Sequence, residues 1–423
     1  MAARKKRLSK PRKSGKSNSD GGGNKANSPK KRGKRRSQND TTVFTMDQQT
    51  KCQNDDESGM ESRRKPKIAK QKSMCMPVTA YQAPTKMKDV QLQRDERGLC
   101  REKPESQEQK DLCKKIVDWI LGTGPAALLE MYTRELKAYA PDKATHFAFD
   151  NNPDKNRYAD VICGDQHRVI LRLDDGCHDY IHASILRDHP LQKAYICTQG
   201  PLDSTVADFW RMVVQQDVST IAMLCEVVEM RKTKCAQYWP KGLNEEATYG
   251  VYTVKNTGTK SEGDKRFMIT TLMVTVPKRD KPMEVSHYLW LNWPDRGVPD
   301  TTKCPLRLLK MFRKDNKATV VHCSAGIGRT GSVVAIEWIL QSIMALSDVP
   351  LPDMIRQVRA HRLQAVQTHV QFLYICRVIL EFYQAYGDLN DEMKKKITDF
   401  HKLANHVTQA HMNEDIYAAP KKR

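Results

Sequence analysis

The sequence holds no stretch long and apolar enough to cross a bilayer. Its longest apolar-looking run, Ser332–Leu346, contains Glu337 and Gln341 and falls short of the roughly 20 residues that a spanning helix needs. The charged opening residues Met1–Lys10 are followed by no apolar core, so they do not read as a secretory signal. The 12 cysteines form no Cys-x-x-Cys pair and lack the density of a disulfide scaffold. Reduced thiols are therefore expected, and with them a cytoplasmic or nuclear location. No metal-ligand spacing is visible among the His and Cys residues, so neither a metal nor another cofactor is expected. No internal repeat is visible. Residues 1–40 contain no aromatic side chain; base stacking has no platform there, and no specific nucleic-acid recognition is expected.

What is present is unevenly spread. The chain has 423 residues, with 71 Lys and Arg against 50 Asp and Glu. Residues 1–108 hold 28 basic and 13 acidic residues, a charge of +15, and leave +6 for the remainder of the +21. Length alone suggests two or three domains at about 150 residues each, but composition excludes a uniform globule. Residues 1–108 read as a disordered basic region: Gly21–Gly23 and Lys30–Arg36 typify a segment with too little apolar surface to offset its ordering entropy. The clusters Arg4–Arg7 and Lys30–Arg36 suit an import receptor or another acidic partner, non-specific contact with RNA or an anionic membrane, or simply a solvated tail.

From about residue 109 the pattern changes. Leu112, Ile116, Trp119 and Ile120 recur at helical spacing, as do Ala127, Leu128 and Met131. Strand-like runs follow at Arg168–Leu173, Tyr195–Thr198, Thr220–Leu224, Met268–Val276, His287–Leu291 and Thr319–His322. Helical stretches at Thr205–Gln215, Pro305–Arg313, Gly331–Gln341, Pro352–His361 and Thr368–Tyr386 are interleaved with them. This alternation predicts an α/β domain over 109–388, with a central twisted mixed sheet and helices on both faces. The tail, 389–423, is expected to carry a polar peripheral helix over Asp391–Ala410 and then a free end. Tyr417, preceded by Glu414 and Asp415, fits a kinase target.

The chemistry concentrates in Thr319–Ser332. A β-branched strand runs into His322-Cys323-Ser324-Ala325-Gly326-Ile327-Gly328-Arg329-Thr330-Gly331 and then an apolar helix. Strand, glycine-rich loop and helix start form an oxyanion site: loop N–H groups converge, and the helix dipole adds positive potential. No Gly-Lys-Ser/Thr follows the glycines, so the loop is not a nucleotide P-loop. Cys323 opens the loop and Arg329 closes it. Amides, helix end and guanidinium favour the thiolate, the form that attacks. The planar Arg329 fork suits two phosphate oxygens at once.

The ten residues His322–Gly331 resemble the His-Cys-x5-Arg-Ser/Thr segment of the protein tyrosine phosphatases, and of their tyrosine-specific, non-receptor-type branch. The resemblance spans about 109–388. It implies a phosphoric monoester hydrolase acting on phosphotyrosine-containing proteins through a cysteinyl-phosphate intermediate. Trp293-Pro294-Asp295-Arg296-Gly297-Val298-Pro299 is similar to the family's mobile acid loop, with Asp295 as general acid and then base. Lys155–Val161 looks like the phosphotyrosine recognition loop, in which Tyr158 stacks on the substrate ring and Asp160 binds the peptide backbone. Gln367-Thr368-His369-Val370-Gln371 resembles the loop whose Gln367 positions the hydrolytic water, with Gln371 assisting. The resemblance further assigns phosphate binding to Ser324, Ala325, Gly326, Ile327 and Gly328, and thiolate stabilisation to Thr330. It pairs Glu229 with Arg329, sets Lys234 against the acid loop, and gives His322 and Trp293 supporting roles. A pocket of this kind could also capture phosphotyrosine without turnover, but Cys323, Arg329 and Asp295 are all present. Departures from the pattern are His182 for Asn, Cys197 for Ala, Val214 for Trp, and Arg296 for Phe. The first three are read as framework positions, and Arg296 as a pocket-rim residue bearing on substrate choice.

Overall fold

The structure, a computed structural model, describes residues 103–172, 178–261 and 266–417, with side chains as far as 410. The basic clusters of the N-terminal region lie outside the described residues. The first helix, α1 (Gln107–Thr123), starts ahead of the boundary expected at 109. Ser106 caps it, accepting from the Gln109 N–H, while the Gln109 side chain reaches back to the Ser106 N–H. This reciprocal cap fixes a helix start inside a segment whose composition alone reads as disordered.

The remaining elements follow in order: α2 (Pro125–Met131), α3 (Phe147–Asp150), β1 (Arg168–Ile170), β2 (Tyr180–Leu186), β3 (Tyr195–Thr198), α4 (Val206–Gln215), β4 (Val218–Met223), β5 (Val228–Glu229), β6 (Lys232–Thr233), β7 (Glu246–Tyr249), β8 (Tyr252–Ser261), β9 (Phe267–Thr275), β10 (Met283–Trp290), α5 (Lys303–Phe312), β11 (Ala318–His322), α6 (Arg329–Met344), α7 (Leu351–His361), α8 (His369–Tyr386) and α9 (Asp391–Tyr417). Nine strands form one mixed sheet in the order β1-β2-β3-β11-β4-β10-β9-β8-β7. Its middle is parallel: β11 runs beside β3 and β4, and β4 beside β10. Both outer parts are antiparallel.

Position explains sequence. All five β11 residues are buried, as a β-branched strand between two parallel neighbours should be. Every residue of α6 is buried too, and its one carboxylate is satisfied within the core. Glu337 accepts from Arg313 (Nε, 3.1 Å; Nη2, 2.5 Å), from Tyr195 Oη at 3.0 Å and from Gln341 Nε2 at 3.1 Å. No helix among the described residues is long and apolar enough to cross a membrane. β7 and β8, absent from the predicted elements, are polar because one side faces water; β8 buries Tyr252, Val254 and Asn256 in alternation.

The tail helix corrects an expectation. It continues past Ala410 to Tyr417 and is not peripheral. Ile397, Phe400 and Ala404 are buried in the main core, packed beside α1, α2 and α8. The spacing of three and four residues is a helical stripe, but one too narrow to stand out in so polar a sequence.

Candidate active site

Cys323 sits at the carboxyl end of β11, where ligands bind in open α/β sheets. The chain turns through Ser324–Gly328 and enters α6 at Arg329. Gly326 has φ +71°, and a Cβ there would lie 2.1 Å from the Thr198 carbonyl oxygen, so only glycine fits. Gly331 is equally constrained, with a Cβ falling 2.4 Å from Val366 N.

The loop is held from behind by Arg362, a fully buried residue that the sequence did not single out. Its Nε donates to Gly326 O at 3.0 Å and its Nη2 to Ala325 O at 3.1 Å. A trans peptide directs its N–H opposite its C=O. Drawing the Ala325 carbonyl backward thus turns the Gly326 N–H forward, where it donates to Cys323 Sγ at 3.3 Å. The same Nη2 donates to His182 Nδ1 at 3.1 Å, and His182 Nε2 donates to the Val161 carbonyl at 2.8 Å. His182 therefore links the phosphate loop to the recognition loop and is more than framework. Burial, then the charge of Arg362, push its pKa down to about 3, so it stays neutral and keeps these roles.

Arg329 is 3% exposed. Its Nη1 and Nη2 donate to Glu229 at 2.6 and 2.7 Å, and Nη1 also to Leu224 O at 2.9 Å. Burial works against its charge, but the Glu229 bond and the neighbouring Cys323 raise its pKa and hold it cationic. Nη2 also lies 3.2 Å from Asp295 Oδ1, and Lys234 Nζ donates to Asp295 Oδ2 at 2.6 Å. Burial pushes the Asp295 carboxyl up; the Lys234 hydrogen bond and the charges of Arg329, Lys234 and Arg296 outweigh it, and the net shift is downward. Trp293 anchors the acid loop: it is buried against Trp290 and Tyr374, and its indole N–H donates to Gly297 O at 3.2 Å.

The recognition loop is fixed by Arg157, which donates to the Gly200 and Pro201 carbonyls, and by Gln364, whose amide bonds Asp160 O and Ile162 N. Tyr158 Oη lies 2.8 Å from Ser324 Oγ, which donates onward to Lys234 O at 3.0 Å. Asp160 is exposed at the pocket mouth. On the opposite side, Gln371 caps α8: its Oε1 accepts from the Gln367 and Thr368 N–H groups. Its buried Nε2 has no partner among the described residues. Both glutamine side chains rest over Gly328, where a Cβ would meet Gln367 Oε1 at 2.9 Å and Gln371 Nε2 at 3.0 Å. Thr330 Oγ1, at the start of α6, is likewise buried and has no partner among the described residues.

Beneath the loop, His322 donates from Nδ1 to the Cys323 carbonyl at 3.1 Å, and its Nε2 meets Tyr238 Oη at 2.7 Å. Tyr238 Oη also lies 2.8 Å from His287 Nε2. Burial pushes His322 down to about 4 and His287 to about 3. With both rings neutral, the protons run His287 Nε2–H to Tyr238, Tyr238 O–H to His322, and His322 Nδ1–H to Cys323. His287 carries no signal in the sequence: it is one residue of a strand.

The pocket thus assembled encloses about 460 Å³. It is lined by Cys323, Ser324, Ala325, Gly328 and Arg329 below, Tyr158, Asp160 and Lys234 to one side, and Asp295, Arg296, Gln367 and Gln371 around the rest. Gly326 and Ile327 stand behind this lining. Ile327 is buried, and its carbonyl accepts from Val366 N at 2.9 Å.

A cysteine thiol, a guanidinium and a carboxylate thus converge on one concave pocket at the start of α6. The profile of the family described as Protein-tyrosine phosphatase matches residues 152–381. Human Tyrosine-protein phosphatase non-receptor type 9 is 32% identical over 294 residues, covering 65% of this chain and 49% of that protein. Human Receptor-type tyrosine-protein phosphatase alpha is 34% identical over 275 residues, covering 61% and 33%. A solved structure described as PTPN18 in complex with HER2-pY1196 phosphopeptides superposes with a TM-score of 0.59 at 29% identity, covering 64% of this chain and 99% of that one. The chain belongs to the protein-tyrosine phosphatase family. It spans half or less of the length of these curated relatives.

Proposed function

We propose that the chain hydrolyses phosphotyrosine in proteins by two in-line phosphoryl transfers at Cys323. The observation that carries this reading is Arg329, aligned by Glu229 beside Cys323 and in contact with Asp295. In the first step the Cys323 thiolate attacks phosphorus, while Arg329 and the loop amides hold the equatorial oxygens. Asp295 gives its proton to the departing tyrosyl oxygen. In the second step a water placed by Gln367 attacks the thiophosphate, and Asp295 takes its proton. Inorganic phosphate and the thiolate are released, the latter received by the Thr330 hydroxyl. Asp295 must be protonated when the tyrosine leaves. A bound phosphate supplies that condition by displacing Asp295 from Arg329 Nη2 and setting a dianion beside it, which favours the carboxylic acid.

Tyr158 in the pocket wall supports a preference for phosphotyrosine over the shorter phosphoserine. The PTPN18 structure holds phosphotyrosine peptides in a comparable fold. The test is phosphate release from a phosphotyrosine peptide in reductant, beside Cys323→Ser and Asp295→Ala. Turnover abolished in the first variant and lowered about 10²- to 10⁴-fold in the second, with phosphoserine peptide untouched, is the expected result. Tight binding of the peptide without turnover would instead make the pocket a phosphotyrosine-capture site.

A second reading concerns the +15 charge of residues 1–108. We propose that Arg4–Arg7 and Lys30–Arg36 engage an import receptor or another acidic partner. An unchanged distribution between nucleus and cytoplasm after deletion of residues 1–40 would remove the import role.

A further inference from the structure

The sequence shows no metal-ligand spacing, yet folding gathers three ligand types from distant positions. His167 lies just ahead of β1, Asp188 in the β2–β3 connection, and His361 at the end of α7. One ligand atom from each falls within 4.8 Å of the other two. We propose that His167, Asp188 and His361 form a binding site for a divalent transition-metal ion of the zinc class, outside the catalytic pocket.

The donor set is the first argument. Two imidazoles and one carboxylate suit zinc and its neighbours, with a fourth position left to water. Calcium and magnesium prefer oxygen alone. Geometry is the second. The His167 and His361 rings stand 4.1 Å apart between centroids, tilted by 37°, and His361 Nε2 is 2.9 Å from Asp188 Oδ2. Bond lengths of about 2.1 Å place tetrahedral ligand atoms about 3.4 Å apart, so modest side-chain rotation of half-buried His167 completes the site. The third argument is the outer support. His361 Nδ1 donates to the Gln357 carbonyl at 2.9 Å, leaving Nε2 toward the cluster. A ligating histidine is typically fixed through its other nitrogen in this way. The ring also rests against Trp338, whose indole N–H holds Gln357 Oε1 at 3.0 Å. His361 is thus set in place before any ion arrives.

The location has a consequence. None of the three residues lines the phosphate pocket, but the residue after His361 is Arg362, which holds the Gly326 and Ala325 carbonyls. A metal here would fasten the end of α7 to β1 and the β2–β3 connection, and so brace the phosphate loop from its rear. Without metal binding, His361 Nε2 and Asp188 Oδ2 make a side-chain contact of 2.9 Å whose carboxylate is exposed.

Zn²⁺ and Co²⁺ are the probes. The full chain carrying Cys323→Ser, so that the nucleophile cannot bind metal, is compared with the same chain also carrying His167→Ala and Asp188→Asn. Visible Co²⁺ absorption and a Zn²⁺-dependent rise in Tm are expected in the first protein. In the second the absorption should be lost and the affinity weakened at least about tenfold. Equal absorption and equal Tm response in the two proteins would overturn the proposal, as would no response of the first to millimolar Zn²⁺. Should the doubly substituted site unfold the chain, Asp188→Asn alone, at an exposed position, repeats the comparison.

Discussion

Asp295 is held between two cations, and the ionised form they favour is not the protonated form that the proposed first step requires. In the free protein Lys234 and Arg329 keep it ionised, with its pKa lowered from 3.8. In the proposed substrate complex, phosphate is expected to compete for Arg329 and to raise the proton affinity of Asp295. A general acid works only while protonated, so the rate falls as pH rises through its pKa. The basic limb of kcat, which reports the complex, is therefore expected at higher pH than the titration of Asp295 in the free protein. Asp295→Asn should flatten that limb, which a pH–rate profile checks. Arg362 gives a second residue-scale prediction. Arg362→Met removes donors to Gly326 O, Ala325 O, Ser184 Oγ and His182 Nδ1. Leaving buried acceptors unpaired costs about 1–3 kcal/mol each. A loss of about 3 kcal/mol or more by urea unfolding is expected, with weaker binding of inorganic phosphate. Cys323, Arg329 and Asp295 were legible because each lies inside a contiguous run whose chemistry is local. Arg362, His182 and His287 were not, because their roles are defined by partners 36 to 180 residues away or by a shared Tyr238 hydroxyl.

At the scale of elements, the parallel centre of the sheet could be read almost to its ends. β3 falls on the predicted run, β4 and β11 differ from it by a residue or two, and β10 begins four residues ahead of it. Their apolar, β-branched composition is dictated by burial on both sides. The antiparallel strands β7 and β8 carry half their side chains in water, and their pattern dissolves into turn-like residues such as Asn256 and Gly258. The packing of α9 escaped for a similar reason: among its described side chains only Ile397, Phe400, Ala404 and Thr408 are buried. Those positions still matter. Phe400 is 6% exposed and packed into the main core. Phe400→Ala is expected to lower stability by about 3 kcal/mol, seen as a shifted denaturation midpoint. A truly peripheral helix would leave the midpoint unchanged.

For the whole molecule, three buried neutral histidines tie stability to pH. His182 and His287 are pushed down to about 3 and His322 to about 4, from 6.5 in the unfolded chain. Between those values the unfolded state binds more protons than the folded one, so stability is full above pH 6.5 and declines as pH falls toward 3. Each contributes up to about 1.4 kcal/mol per pH unit. A urea midpoint that is flat from pH 8 to 7 and drops steeply below 6 is the expected outcome.

The complete burial of α6 carries over to how the site can move. A helix enclosed along its whole length has no side on which to roll, and its first residue is Arg329. The floor of the pocket is therefore expected to stay fixed, and closure over a ligand to come from the segment exposed at Pro294, Asp295 and Arg296. Amide hydrogen exchange should divide accordingly. Protons of α6 should leave only when the domain unfolds globally, and those of Asp295 to Gly297 through local opening.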